Sequence, residues 1–248
     1  MDWLQRFRGR PEIDLEQFNE EKISELERFR ISYSTAQFQR GKSSEARDYL
    51  AKSESFSIES GDPVFYEESK LFVKEENFHS DLLKTFMQQM QIELVAESWS
   101  DSIFRWVRSW GDIAWSSQVL LTAELLAQVY YPALKAATSS EMLAIICDRI
   151  IEDEEDHIVF QAERIARVLQ QRSRFYRKIH SVLGFVLFWG TTFVVWFEHQ
   201  DVLSESLSYR QYLRACLDRY QFFRLQLMGQ LTGDGAVLQD QHWPILPS

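Results

Sequence analysis

The sequence predicts an all-α protein. It contains 9 glycines and 5 prolines in 248 residues, too few for the many tight turns of an all-β sandwich. No segment keeps the alternation of apolar and polar residues that is typical of a strand, whereas apolar residues recur at spacings of three and four along several long segments. We therefore expect a row of helices, in a chain long enough for one large domain or two small ones.

Charge and cysteine content exclude some classes of function. The chain has 27 basic and 37 acidic residues, a net charge of −10. Because a duplex-binding protein needs a basic face to replace phosphate counterions, nucleic acid is not an expected partner. The two cysteines, Cys147 and Cys216, are too few for a disulfide framework and favour a reducing compartment. The start of the chain lacks the pattern of a signal peptide, so we expect a cytoplasmic protein.

The first half of the chain predicts an N-terminal arm and two long helices. Residues 1–29 are charged and weakly patterned, typical of an exposed helix or arm. Helix A is expected at about 30–52, with an inner face of Ser34, Phe38, Gly41, Glu45 and Tyr49. Asp62 and Pro63 provide an N-cap and a first-turn proline for helix B, which continues to about Gln91. The inner face of helix B is Phe65, Ser69, Phe72, Glu76, His79, Leu83 and Phe86.

The second half predicts a short aromatic connector at 102–110 and four further helices. Helix C, at about 112–137, has an inner face of Leu120, Leu121, Glu124 and Tyr131. Helix D begins at Ser139-Ser140-Glu141, with a stripe of Leu143, Cys147, Ile150, Glu154, His157 and Gln161. The last two helices are expected at about 175–199 and 209–228. The predicted organisation is an arm at 1–29, a four-helix bundle at 30–172, a C-terminal helical pair at 173–228 and a loose tail at 229–248.

Two short segments of the sequence carry a repeated metal-binding pattern. Glu76 and His79 form one Glu-x-x-His pair, and Glu154 and His157 form another. Residues three apart are neighbours on one face of a helix, so each pair can offer an oxygen and a nitrogen to one metal ion.

The spacing of two further glutamates suggests that the pattern extends to two helix hairpins. Glu45 lies 31 residues before Glu76, and Glu124 lies 30 residues before Glu154. Glu124 stands in an otherwise uncharged run, 119–127, where a buried carboxylate needs a partner and a divalent cation would provide one. The alternative is a carboxylate paired with a basic side chain or exposed at a helix edge.

Four glutamates and two histidines on four helices are the ligand set of the ferritin-like di-iron and di-manganese bundles. The segment 75–83, EENFHSDLL, resembles the helix-B motif EENRHGDLL of the soluble acyl-carrier-protein desaturases. The segment 153–157, DEEDH, resembles their helix-D motif DEKRH. The resemblance extends over about residues 30–170 in helix order and ligands, and it implies a ferritin-like four-helix bundle.

The resemblance also implies roles for individual residues. The metal ligands would be Glu45, Glu76, His79, Glu124, Glu154 and His157, with Glu76 and Glu154 as bridges. They would hold two iron ions, with Mn/Fe and Mn/Mn as alternatives. Glu75 and Asp153 would each reach the free ring nitrogen of the histidine on the facing helix and orient it. The alternative for both is a solvated charge, because Glu75 follows Lys74 and Asp153 lies in an acidic run.

Two positions depart from patterns found in related enzymes. Ala127 stands one turn after Glu124, where oxygen-activating members often have a threonine. Leu83 stands one turn after His79, where the radical-generating subunit of ribonucleotide reductase has a tyrosine, and this argues against that role.

Apolar residues flanking the predicted ligands indicate either a bundle core or a chamber for an apolar substrate. The candidate lining residues are Phe38, Gly41, Tyr49, Phe72, Leu83, Phe86, Ala127, Tyr131, Leu143, Cys147 and Ile150.

Residues 179–197 form a 19-residue run without an acidic side chain, lysine or arginine, and it follows a basic segment. We favour a buried fifth helix, with an in-plane membrane contact or a membrane span as alternatives. Four arginines on the last predicted helix add a second basic surface, which fits a membrane, an acidic carrier protein or solvent.

These patterns predict an O2-activating oxidase or oxygenase that acts on a small or lipid-like substrate. It would need an external electron donor, because no flavin or nicotinamide motif is visible, and the sequence is compatible with a homodimer. A ferritin-like iron-binding, ferroxidase or metal-sensing protein without an organic substrate is the alternative. A helical interaction protein with solvated acidic clusters is the third.

Overall fold

A computed structural model describes residues 1–11, 13–43, 46–96 and 98–232. Over these residues the chain forms helices and no strands, so the predicted all-α class is confirmed. A 3-10 turn lies at Glu16–Phe18, and the α-helices are α1 Trp3–Arg8, α2 Glu25–Ser43, α3 Ala46–Ser60, α4 Pro63–Gln89, α5 Trp99–Ser109, α6 Ile113–Ala136, α7 Glu141–Gln170, α8 Arg174–Leu203 and α9 Tyr209–Thr232.

The starts of α4 and α7 follow the local signals in the sequence. The Asp62 side chain accepts a hydrogen bond from the Phe65 backbone N–H at 3.3 Å, and Pro63 is the first residue of α4. The Ser140 hydroxyl accepts a hydrogen bond from the Leu143 N–H at 3.0 Å, directly before α7. Both predicted helix starts are therefore confirmed.

The N-terminus of α7 has a second set of caps that come from a distant part of the chain. Glu21 accepts hydrogen bonds from the N–H groups of Glu141 at 2.6 Å and Met142 at 3.1 Å. Glu27 accepts from the Ser139 N–H at 2.8 Å. Carboxylates satisfy the unpaired N–H groups at the positive end of the helix, so they fix the N-terminal segment to α7.

Most described residues of the N-terminal segment are exposed, as its charge predicts, but two aromatic side chains are buried. Trp3 on α1 is buried and stacks on Phe7 with ring centroids 5.7 Å apart. The next helix, α2, begins five residues before the predicted start of helix A, at Glu25. The predicted span of helix A extends over parts of α2 and α3, and Glu45 lies outside the described residues.

The chain divides into two compact units. The first contains Met1–Ile113 and Ala137–Ile150. Within it α1, α2 and α3 pack against α4, and Phe56 on α3 packs on Phe65 with ring centroids 4.6 Å apart. The inner face predicted for helix B is buried as a whole in α4: Phe65, Ser69, Phe72, Glu76, His79, Leu83 and Phe86.

The second unit contains Ala114–Ala136 and Ile151–Ser248. Gly184 of α8 allows close approach to α6, because an added Cβ would lie 3.0 Å from the Gln118 side chain. Against α9, Phe188 stacks on Tyr220 with ring centroids 4.6 Å apart. The predicted tail begins inside a helix, since α9 continues to Thr232, and residues 233–248 lie outside the described part of the chain.

Candidate metal centre

The first half of the candidate centre lies on α4. Glu76 and His79 are one helical turn apart, and both side chains are buried. Their nearest polar atoms, Glu76 Oε1 and His79 Nδ1, are 3.7 Å apart. The helical spacing of the Glu-x-x-His pattern therefore places both groups on the inner face of α4, as the sequence predicts.

The second half lies on α7 and repeats this arrangement. Glu154 and His157 are both fully buried, and Glu154 Oε2 lies 3.4 Å from His157 Nδ1. The acidic run around them is not uniformly solvated. Asp153 and Glu154 are buried, whereas Glu152 and Glu155 are exposed, because the helix turns successive residues to different sides.

The structure brings these four side chains together into one group. Glu76, His79, Glu154 and His157 each offer one ligand atom, and the four atoms lie within 4.8 Å of one another. The two carboxylate oxygens and two imidazole nitrogens can hold a metal ion. Their burial fits this, because two carboxylates withdrawn from water are costly unless a positive charge accompanies them.

The remaining predicted ligands are Glu124 and Glu45. Glu124 is buried on α6, so it is not the exposed residue of the alternative interpretation. It accepts a hydrogen bond of 3.4 Å from the Gln161 side-chain amide on α7, one turn after His157. Glu45 lies outside the described residues.

Lys42 is a charged residue of this region that sequence reasoning did not identify. Its ammonium lies 3.0 Å from Glu76 Oε1 and 2.8 Å from Oε2, and both side chains are buried. Lys42 therefore neutralises the Glu76 carboxylate. The sequence does contain a signal for Lys42. It lies one turn before Glu45, and this spacing puts a lysine on the predicted inner face of helix A.

The two predicted orienting acids have different surroundings. Glu75 is buried and accepts a hydrogen bond of 2.9 Å from Arg10 Nε, an ion pair across 65 positions of the chain. Asp153 is fully buried on α7. Neither is the solvated charge of the alternative interpretation.

The candidate chamber residues lie mainly in the core. All are buried except Phe38 and Gly41, which are half-buried: Tyr49, Phe72, Leu83, Phe86, Ala127, Tyr131, Leu143, Cys147 and Ile150. Tyr49 packs on Phe72 with ring centroids 5.8 Å apart, as a core pair would. At Gly41 an added Cβ would meet nothing within 4 Å, so there is open space beside α2 at this position.

The fold and these side chains define an all-α protein with a buried Glu/His group able to hold a metal ion. Comparison of the chain with protein-family models, with curated proteins and with solved structures gives no match. The ferritin-like relationship thus stays a prediction from the two motifs.

Proposed function

We propose that the protein is a non-haem di-metal oxidase or oxygenase that uses two iron ions and O2 to oxidise an apolar organic substrate. The observation that carries this proposal is the buried group of two glutamates and two histidines, with ligand atoms within 4.8 Å of one another. Carboxylate and imidazole ligands suit iron and manganese, and two Glu-x-x-His pairs with two further glutamates are the donor set of di-metal bundles.

Each ligand has a defined task in this proposal. His79 and His157 would each present a ring nitrogen, and Glu76 and Glu154 would each present a carboxylate oxygen. By the resemblance, Glu45 and Glu124 would complete the set of six. When bound, the two Fe(II) ions supply the electrons for the reduction of O2.

The surrounding residues keep the ligands in place and keep water out. Lys42 pairs with both oxygens of Glu76 at 2.8 and 3.0 Å, and a cation that binds Glu76 must displace this contact. Gln161 fixes Glu124 by a hydrogen bond from its amide. The apolar side chains along α4 and α7 exclude water, and the space beside Gly41 is a place for part of an apolar substrate. Reducing equivalents come from an external electron donor.

Metal content provides the first test of the proposal. The site variant is His79→Ala/His157→Ala, and the matched control is His180→Ala/His199→Ala, which removes two buried imidazoles of α8. Burial lowers the pKa of His199 to about 3, so the control removes a neutral ring. After anaerobic loading with Fe(II), we expect about two iron ions per chain in the wild type and the control, and a loss of most iron in the site variant. Circular dichroism verifies that both variants fold.

The result that contradicts the proposal is equal iron content in the site variant and the control, or no iron in the wild type. Oxygen uptake then tests the reaction. With a reductant and an apolar substrate, we expect O2 consumption to continue. We also expect either oxygen incorporated into the product or hydrogen removed from the substrate. A single burst of uptake that matches the Fe(II) added, with no change in any substrate, would instead identify a ferroxidase. Size measurement tests its storage form, which needs a 24-subunit shell.

A further inference from the structure

The helix α8 has two different faces, both rich in apolar residues. One face is buried and includes Gly184, Phe188 and Thr192. The opposite face is exposed, and its large apolar residues recur mainly at spacings of three and four: Phe175, Ile179, Val182, Leu183, Phe185, Val186, Phe193 and Phe197. A single exposed apolar residue is ordinary, but a continuous stripe of eight indicates a surface that is covered by something else.

The dimensions of this stripe suit a lipid bilayer. From Phe175 to Phe197 the helix extends about 33 Å, at a rise of 1.5 Å per residue. Among the described residues α8 is the one helix long and apolar enough to cross a membrane, and 28% of its most apolar 18-residue window is buried. The sequence favours a buried fifth helix here. This prediction holds for one face of α8, whereas the opposite face is exposed.

The packed face of α8 fixes how the stripe is presented. Gly184 lies against Gln118 of α6. On the α9 side, the Tyr212 hydroxyl donates to the Thr192 carbonyl at 2.9 Å, and Arg224 donates to the Ser181 hydroxyl at 2.6 Å. Since one side is held by protein along its length, an orientation in the plane of the membrane surface fits better than a span surrounded by lipid.

The residues around the stripe match the chemistry of the headgroup region. Tyr176, Trp189 and Trp196 are half-buried at its borders, and such aromatic rings favour the membrane–water interface. Arg172, Arg174 and Lys178 are exposed beside its N-terminal end, in a chain whose net charge is −10. On α9, Arg210 and Arg214 are exposed near the other end, where Tyr209 contacts Trp196 with ring centroids 5.0 Å apart. The basic side chains at the N-terminal end fit anionic lipid phosphates, whereas at the other end Arg214 pairs with Asp218, and Asp201 and Glu205 are exposed.

We infer that the exposed face of α8 binds an anionic bilayer, with Phe175 to Phe197 lying in the interface and Arg172, Arg174 and Lys178 on lipid phosphates. A second copy of the chain is the competing occupant, and light scattering distinguishes it from a bilayer. The inference does not depend on metal binding.

Vesicle co-sedimentation of the full chain tests this inference. The probes are vesicles of phosphatidylcholine alone and vesicles that contain phosphatidylglycerol. We expect binding to the anionic vesicles that weakens at high salt. Val182→Asp/Val186→Asp, at positions 55% and 61% exposed, should lower the partition coefficient at least about tenfold. Arg172→Gln/Arg174→Gln/Lys178→Gln should lower binding to anionic vesicles and leave the weak binding to neutral ones unchanged.

The control is Ile58→Asp on α3, an apolar position outside the stripe that is 77% exposed, and this variant should bind as the wild type does. Circular dichroism and thermal unfolding verify that the variants fold. The inference is overturned if the wild type does not bind vesicles, or if Val182→Asp/Val186→Asp binds as well as Ile58→Asp. Light scattering that shows a dimer, lost in the Val182→Asp/Val186→Asp variant and unaffected by lipid, would overturn it too and assign the face to a second copy.

Discussion

Glu76 on α4 and Glu154 on α7 occupy corresponding places in two segments of the same plan, but the two segments differ in the residue three positions before their first glutamate. In the first segment the Lys42 ammonium contacts both oxygens of Glu76. Lys42 precedes Glu45 by three residues, and the residue three before Glu124 is Leu121, which is fully buried. The same ligand pattern thus has a cationic side chain in one half and an apolar one in the other.

The Lys42–Glu76 pair indicates that cation binding at Glu76 has a cost. A metal ion that uses Glu76 must replace or rearrange an ion pair whose members are both buried. At Glu124 the structure shows a hydrogen bond of 3.4 Å from the uncharged amide of Gln161. We therefore expect the half on α6 and α7 to bind the first cation, and the half on α2 and α4 to bind the second more weakly.

The largest expected change is in Fe(II) affinity when each of the two histidines is replaced separately. His157→Ala should lower the affinity for the first Fe(II) at least about 100-fold, because it removes a ligand of the stronger half. His79→Ala should leave the first binding event largely intact and abolish the second. Anaerobic calorimetric titration with Fe(II) measures both steps. Equal losses in the two variants would contradict the proposed difference between the halves.

The next effect concerns Lys42. Lys42→Met leaves the Glu76 carboxylate without its ammonium partner, so the free energy of unfolding of the metal-free protein should fall by about 3 kcal/mol. Because the competing ammonium is gone, affinity for the second Fe(II) should rise about tenfold, and saturating Fe(II) should restore much of the lost stability. Urea unfolding with and without Fe(II), together with the titration, measures these changes.

Leu121→Met is the matched control for Lys42→Met, since it introduces the same residue at the corresponding position of the other half. It should cost less than about 1.5 kcal/mol and leave both binding steps unchanged. Lys42→Arg should keep the ion pair. If Lys42→Met is as stable as Leu121→Met and binds Fe(II) like the wild type, the Lys42–Glu76 pair has no part in metal binding.

The smallest expected effect is on the free energy of unfolding, from side chains at the N-terminal ends of α7 and α4. Burial raises the pKa of Glu27, but hydrogen bonds from Thr138 and Ser139 outweigh it and hold the pKa below its ordinary value of 4.5. The Glu27 carboxylate therefore stabilises the fold above that value, and this contribution disappears as the pH falls through the lowered pKa. Glu27→Gln should cost about 1 kcal/mol or less at pH 7 and nothing in strong acid.

Urea unfolding across pH measures the Glu27 effect. Asp62→Asn at the start of α4 is the control, because asparagine is an equally good N-cap and should change stability little. A Glu27→Gln cost that is the same at pH 7 and in strong acid would show that the carboxylate charge does not matter.

The parts of this fold that sequence predicts are those governed by local spacing. The face of α4 from Phe65 to Phe86 follows from helical periodicity, and the start of α4 follows from Asp62 and Pro63. The group of Glu76, His79, Glu154 and His157 follows from the repetition of one short pattern on two helices. Each of these signals is contained within a few turns of helix.

The parts that sequence does not predict depend on contacts between distant segments. The ion pairs of Lys42 with Glu76 and of Arg10 with Glu75 join positions 34 and 65 residues apart. The caps that Glu21 and Glu27 provide for α7 are also long-range. For α8, apolar residues occur all around the helix, so periodicity alone cannot show which face packs and which is exposed.

X-ray diffraction from Fe(II)-loaded crystals, with anomalous data collected at the iron edge, tests the central claim most directly. The account predicts two anomalous peaks, contacted by Glu76, His79, Glu154 and His157, with Lys42 moved away from at least one oxygen of Glu76. Peaks elsewhere on the chain, or the absence of any peak after anaerobic loading, would contradict it.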